Sequence, residues 1–176
     1  PRRLVSEWDL KVTIHHGKNW AWRIVYPIKD AAGRIVAYQG RTIQKDRKPK
    51  YIFSDRDDMT INPRNLLYGI DKAKGDDVII VEGPADVWRL GPGAVAVFGI
   101  DWTLEQANTL RQYKNRFIFF DPDDRAQKQA ERLAWVLSSF QGHTELISYN
   151  NQDDPADLTD EQVKEVWAEI SKGETE

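Results

Sequence analysis

An unbroken apolar run, Phe117-Ile118-Phe119-Phe120, stops at Asp121-Pro122-Asp123-Asp124-Arg125, and this junction constrains the fold more than any other stretch. A run without polar interruption suits a strand covered on both faces, as in a parallel sheet, better than an amphipathic edge strand. Beyond it Ala126, Ala130, Leu133, Ala134, Leu137 and Phe140 recur at helical spacing. The pattern predicts a strand, an acidic corner and a helix. In open α/β sheets ligands bind outside the carboxyl ends of the strands, where acidic side chains can share one hard cation. The same Asp-x-Asp serves equally as a helix N-cap with a solvated neighbour.

The unit recurs from Asp77 onward. Val78-Ile79-Ile80-Val81 ends at Glu82-Gly83-Pro84, with a helix expected from Ala85 through Leu90; Ala94 to Phe98 ends at Gly99. Thr103 with Gln106 forms a capping box for the next helix, and Thr159 with Gln162 another for the last, which carries Val163, Val166, Trp167 and Ile170 on one face. A strand around 144–148 leads into Asn150-Asn151-Gln152-Asp153-Asp154-Pro155-Ala156-Asp157. Strands alternating with helices imply an α/β fold around a mainly parallel, four-stranded sheet. Three of the four strands then end in acids: Glu82, Asp121 with Asp123, and Asp154 with Asp157. On one sheet edge these would form a single site. Convergent carboxylates repel unless a cation is bound, which favours Mg²⁺ or Mn²⁺ on oxygen ligands and points to phosphoryl chemistry. Taken singly, Asp153-Asp154-Pro155 is also a turn sequence, and Glu82-Gly83-Pro84 a strand-to-helix corner.

The first part of the chain reads differently. Residues 21–43 form a hairpin pattern turning at Gly33, rich in β-branched and aromatic residues on both flanks. Lys45-Asp46-Arg47-Lys48-Pro49-Lys50-Tyr51 follows, a basic loop closed by an aromatic ring, which suits a nucleic-acid backbone with an unpaired base and equally an ordinary solvated loop. His15 and His16 on an extended segment point to opposite faces, so a structural role is expected for them. Residues 1–75 carry 16 Lys+Arg against 8 Asp+Glu, and residues 76–176 carry 9 against 20, so the net charge of −3 conceals a basic lobe joined to an acidic domain. The boundary is expected near residue 75. A polyanion on one side and divalent metal on the other would need this asymmetry. The absence of cysteine excludes disulfides, thiolate zinc sites and cysteine nucleophiles. With no membrane-length apolar run and no signal-peptide pattern, the chain is expected to be cytoplasmic. An opening at Pro1, without methionine, suggests a fragment or a processed chain.

Together these motifs resemble the TOPRIM domain shared by DnaG-type primases, type IA and type II topoisomerases and some nucleases: Glu82-Gly83 after one strand, Asp121-x-Asp123 after another, then Asp154-Pro155-Ala156-Asp157. Glu82-Gly83-Pro84-Ala85-Asp86 resembles the primase form of the first motif. Upstream, Arg23 to Asp30, the Gly33-Arg34 turn, Gln39-Gly40-Arg41, Pro49-Lys50-Tyr51 and Leu67 to Ile70 follow the order of the amino-terminal lobe of the bacterial and phage primase catalytic core. The resemblance covers about Trp20 to Ile170. It implies RNA primer synthesis from ribonucleoside triphosphates on a single-stranded DNA template, in a bacterial cell or phage-infected host, with a replicative helicase or helicase domain as partner. It implies Glu82, Asp121 and Asp123 as catalytic residues, with metal held by these and by Asp154 and Asp157. Arg34, Arg41, Lys48, Lys50, Tyr51, Asp86 and Gly99 would contact nucleotide or DNA. A TOPRIM nuclease and a non-catalytic nucleic-acid-binding module of the same fold are the alternatives. The chain departs from the primase pattern at Pro122, and at Arg125-Ala126 where relatives usually have Ala-Gly.

Overall fold

The computed structural model describes residues 2–15, 17–55, 59, 61–147 and 154–172. The chain divides into two compact units, residues 1–65 and 66–176.

The first unit contains α1 (Arg2–Glu7), β1 (Lys11–Thr13), α2 (Gly17–Trp20), β2 (Arg23–Lys29), β3 (Ile35–Thr42) and β4 (Tyr51–Phe53), with the four strands paired antiparallel in chain order. Gly33, at φ 78°, makes the hairpin turn between β2 and β3. Asp30 fixes this turn: its Oδ1 accepts from the amides of Ala32 and Arg34, each at 3.0 Å. Arg23, at the start of β2, is 1% exposed, and no carboxylate among the described residues forms an ion pair with it. Its guanidinium donates instead to the carbonyls of Asn19, Gly40, Lys50 and Pro49 at 2.8–3.2 Å. The basic loop is thereby tied to the sheet through its backbone. Gly40 makes room for this arrangement, because a Cβ there would lie 3.0 Å from the Trp20 ring and 3.1 Å from Arg23 Cδ.

The second unit contains β5 (Asp77–Val81), α3 (Pro84–Leu90), β6 (Ala94–Ala96), α4 (Leu104–Leu110), β7 (Asn115–Ile118), α5 (Asp124–Leu137), β8 (His143–Leu146) and α6 (Asp160–Lys172). The sheet order is β6-β5-β7-β8 and every pairing is parallel, as the alternation of strands and helices predicts. Both capping boxes form: Thr103 with Gln106 at 2.8 and 3.2 Å, Thr159 with Gln162 at 2.7 and 3.2 Å. Val78 to Val81 are all buried, as a central parallel strand requires. Val78 and Ile80 pack with Ala107 and Leu110 of α4 and with Ala126, Ala130, Leu133 and Leu137 of α5. Trp167 of α6 donates from Nε1 to the Leu90 carbonyl at the end of α3, 2.9 Å away. Leu67, Ile70 and Ala73 belong to the same core, so packing changes hands at 65/66 while the charge composition changes near 75.

Strand β7 begins two residues earlier than the apolar run suggests. Its first half contains Arg116, which is fully buried but bonded to Thr144 Oγ1 and to the carbonyls of Tyr113 and Gln141. Phe119 still reaches β5, its amide donating to the Ile80 carbonyl at 2.8 Å.

Candidate metal centre

In a sheet ordered β6-β5-β7-β8 the chain steps from β5 to one side and then to the other, so the topological switch point lies between β5 and β7. Glu82 follows β5, and Asp121 and Asp123 follow β7. Each offers one oxygen within 4.8 Å of the oxygens of the other two. The corner is locked from several sides. The Asp121 amide donates to Glu82 Oε1 at 3.0 Å. Gln127, one turn into α5, donates from Nε2 to the carbonyls of Asp121 (2.9 Å) and Phe120 (3.3 Å). Asp123 caps α5, its Oδ1 accepting from the amides of Arg125 and Ala126 at 3.0 and 3.1 Å. A carboxylate has two oxygens, so the cap and the ligand readings of Asp123 are compatible.

Burial pushes the Glu82 carboxyl up to about 7, and the neighbouring Asp121 adds to the shift, followed by Asp86 and Asp123; the Asp121 amide works against it. Oxygens brought this close repel one another, and a hard divalent cation relieves the repulsion through oxygen ligands. Two half-buried acids and an exposed one leave room for bound water beside the ion. The donor set fits Mg²⁺ or Mn²⁺.

The remaining predicted residues occupy several settings. Asp154 and Asp157 do not join the group of three acids. They lie well beyond the end of β8, at a short turn over residues 154–157. Asp154 caps a short 3₁₀ turn, accepting from the Ala156 amide at 2.9 Å, and that turn packs on α3, the helix after Glu82. Asp153 lies outside the described residues. Asp86 is buried and accepts from the Gly83 amide at 2.8 Å, which fixes the corner after Glu82. Gly99 donates to the Glu82 carbonyl at 2.7 Å. Nothing lies within 4 Å of a Cβ built there, so its φ of 116° is what calls for glycine, rather than close approach of a neighbour.

In the first unit Arg41 and Tyr51 are cross-strand partners, with the Arg41 guanidinium 6.0 Å and the Lys50 ammonium 5.6 Å from the Tyr51 ring centre. Lys48 is exposed in the same loop. Arg34 turns back onto Asp30, with Nε at 2.8 Å and Nη2 at 2.7 Å from Oδ2. The His15 ring stands edge-on to Trp22, 6.5 Å between centroids; His16 lies outside the described residues. Sequence reasoning missed Gln127 and Arg23. Gln127 stands on the polar side of an amphipathic helix, and nothing in spacing shows that it turns back onto the loop. Arg23 could have been noticed as a charge standing directly before the apolar run Ile24 to Ile28.

Residues 11–74 match the family model of the DNA primase catalytic core, N-terminal domain, and residues 79–159 match a Toprim-like domain. The DNA primase of Aquifex aeolicus is 37% identical over 127 residues, covering 66% of this chain and 25% of that protein. The DNA primase of Synechococcus elongatus is 32% identical over 168 residues, covering 85% and 24%. The crystal structure of the Aquifex aeolicus primase zinc-binding and RNA polymerase domains superposes with a TM-score of 0.74 at 28% identity, covering 96% of this chain and 45% of that one. The chain thus spans about a quarter of the length of the Aquifex aeolicus and Synechococcus elongatus primases. It belongs to the DnaG-type primase family, joining the N-terminal domain of the catalytic core to a Toprim domain.

Proposed function

We propose that this chain is the nucleotidyl-transfer core of a DNA primase, extending short RNA primers from ribonucleoside triphosphates on single-stranded DNA. The observation that carries the reading is the convergence of Glu82, Asp121 and Asp123 within 4.8 Å at the switch point of a Toprim sheet. Glu82, Asp121 and Asp123 would hold Mg²⁺ or Mn²⁺, with Asp154 and Asp157 contributing from the neighbouring loop through water. A divalent ion bound there supplies charge for the phosphates and stabilises the attacking and leaving oxygens of an in-line displacement. The protein's part is positioning. Glu82 Oε1 is occupied by the Asp121 amide, leaving Oε2 for the ion or for a proton. Where the ion leaves Oε2 free, the Glu82 carboxylate could take the proton of an attacking hydroxyl and pass it to water. Gln127 and the Asp123 cap keep the loop from following the substrate.

The basic lobe, residues 1–75, holds template and nucleotide in this reading, and residues 76–176 carry the metal. Arg41, Lys48 and Lys50 give phosphate contacts, and Tyr51, already flanked by two cations, offers a ring to a base. A replicative helicase would deliver the strand. The test is a single-stranded template with labelled ribonucleotides and Mg²⁺ or Mn²⁺: short RNA is expected, and Asp121→Asn or Glu82→Gln abolishes it. Cleavage of the DNA without RNA product would assign a nuclease instead. Template binding that survives both substitutions, with no product under either metal, would assign a binding module.

A further inference from the structure

Trp22 takes a backbone conformation that its side chain disfavours. Its φ is 57°, in the left-handed region that glycine, asparagine and aspartate tolerate and bulky residues rarely enter. Hydrogen bonds hold it there from both sides: its amide donates to the Thr13 carbonyl, and its carbonyl accepts from the Ile43 amide at 3.0 Å. The residue nevertheless remains 41% exposed, as Ile14 and Ile43 are at 47% each, and its ring meets the edge-on ring of His15. The nearby Trp20 behaves differently, packing its ring over Gly40. A strained, clamped and exposed indole contributes little to a core. Such strain persists where the surroundings over-determine it, and it concentrates at ligand sites.

The surroundings indicate which ligand. Arg47 donates to the Ala21 carbonyl, next to Trp22, and to the Asn19 carbonyl at 3.4 Å. The unit carries 14 Lys+Arg against 7 Asp+Glu in residues 1–65. Trp22 bonds to Ile43 just past the end of β3, and Tyr51 with its two cations pairs with the other side of β3 at Arg41. The backbones that carry the two rings therefore lie on opposite sides of one strand end, roughly 10 Å apart by sheet spacing. A rigid ring beside phosphate-binding cations is the arrangement that takes an unpaired base in single-strand binding, where stacking tolerates any sequence.

We propose that Trp22 is a stacking platform for an unpaired nucleobase of a single-stranded polynucleotide, a second ring beyond Tyr51. This rests on the template-binding reading of the basic lobe but is independent of catalysis. The test uses Trp22→Asn and Trp22→Gly, both suited to the left-handed conformation, with anisotropy titrations of a labelled oligo-dT and of an abasic oligonucleotide of equal length. Affinity for oligo-dT should fall about 5- to 100-fold, the range for loss of one stacked base. Affinity for the abasic strand and the salt slope of oligo-dT binding should stay unchanged, because phosphate contacts are untouched. The melting temperature should stay level or rise, and Trp22→Phe should retain most of the affinity. Equal losses on both oligonucleotides, no loss on either, or no binding of the unsubstituted chain to oligo-dT would each overturn the proposal. A variant that binds oligo-dT normally but changes its oligomeric state would assign the patch to a second copy of the chain. Trp22-dependent binding without RNA synthesis in the metal assay would leave the platform standing and remove the primer-synthesis reading.

Discussion

Arg23 and Glu82 are both charged groups drawn away from water, and their surroundings treat the charge in opposite ways. Arg23 is 1% exposed and meets the carbonyls of Asn19, Gly40, Pro49 and Lys50. Burial lowers its pKa, with Arg47 nearby adding to the effect, but a guanidinium stays charged through such shifts. Glu82 is half-buried, and its nearest charged neighbours have the same sign. One corner is complete without any ligand. The other reaches balance only with a proton or a cation, which marks it as a binding site.

The sharpest way to break the comparison is to empty the complete corner. Arg23→Met should destabilise the first unit by about 3 kcal/mol or more, because four carbonyls lose a hydrogen bond at once, although those of Asn19 and Lys50 keep another donor, Arg47 and the Thr42 amide. Arg23→Lys should recover little of this, since one ammonium cannot span acceptors on three chain segments. Urea unfolding of the two variants measures both. Equal stability of Arg23→Lys and the parent chain would show the site to be a simple charge requirement.

The incomplete corner should respond to ligand instead. Mg²⁺ or Mn²⁺ at 100 times its dissociation constant should stabilise the chain by about 2.7 kcal/mol. Asp121→Asn should remove most of that gain while leaving the metal-free protein at least as stable, because one repelling charge is gone. Thermal melts with and without EDTA would decide it; a parent chain whose melting temperature ignores both ions would sink the metal assignment.

Titration separates the corners next. The folded Glu82 pKa of about 7 lies above its ordinary 4.5, so the folded state holds the proton more tightly. The stabilisation is full below about 4.5 and is lost as pH rises through about 7. The expected loss is of the order of 1 kcal/mol, discounted from the full shift because the site opens to solvent. Bound metal should abolish the fall, and metal affinity should climb over the same range as Glu82 gives up its proton. Urea midpoints at pH 5, 7 and 8, with EDTA or with Mg²⁺, measure this; Glu82→Gln should flatten the EDTA curve. A flat curve for the parent chain would mean the acids are solvated separately.

These contrasts also explain what was legible from residues alone. Periodicity and capping boxes are local, so the alternating strands, the helix starts and the acidic strand ends could be read directly. Strand order is not local. The acids at the ends of β5 and β7 meet because these strands are neighbours at the switch point, whereas Asp154 and Asp157 sit on a turn beyond β8 that packs on α3 and do not join the three. A shared edge was visible in the sequence; adjacency along that edge was not. Asp86 shows a second limit, since a carboxylate bonded to the Gly83 amide looks the same in sequence as one left open for a ligand. The conformations of Trp22 and Gly99 come from tertiary hydrogen bonds, and only the glycine announces itself by residue type.

The smallest expected effect separates two arginines of the basic lobe. Arg34 is committed to Asp30 through Nε and Nη2, whereas Arg41 stands beside the Tyr51 ring. Arg34→Ala should leave the salt slope of oligo-dT binding unchanged, while Lys50→Ala or Arg41→Ala should lower it by about one. The Arg34 side chain holds the Asp30 carboxyl below the usual carboxylate range, helped by the Arg34 and Ala32 amides and opposed by burial. Asp30 therefore contributes stability at ordinary pH that is lost as the pH falls through its lowered value. Arg34→Ala should move that acid limb to higher pH and change little at pH 7, since Oδ1 keeps both turn amides. If the salt slope fell with Arg34→Ala as it does with Lys50→Ala, Arg34 would be exchanging Asp30 for phosphate, and the turn would belong to the binding surface.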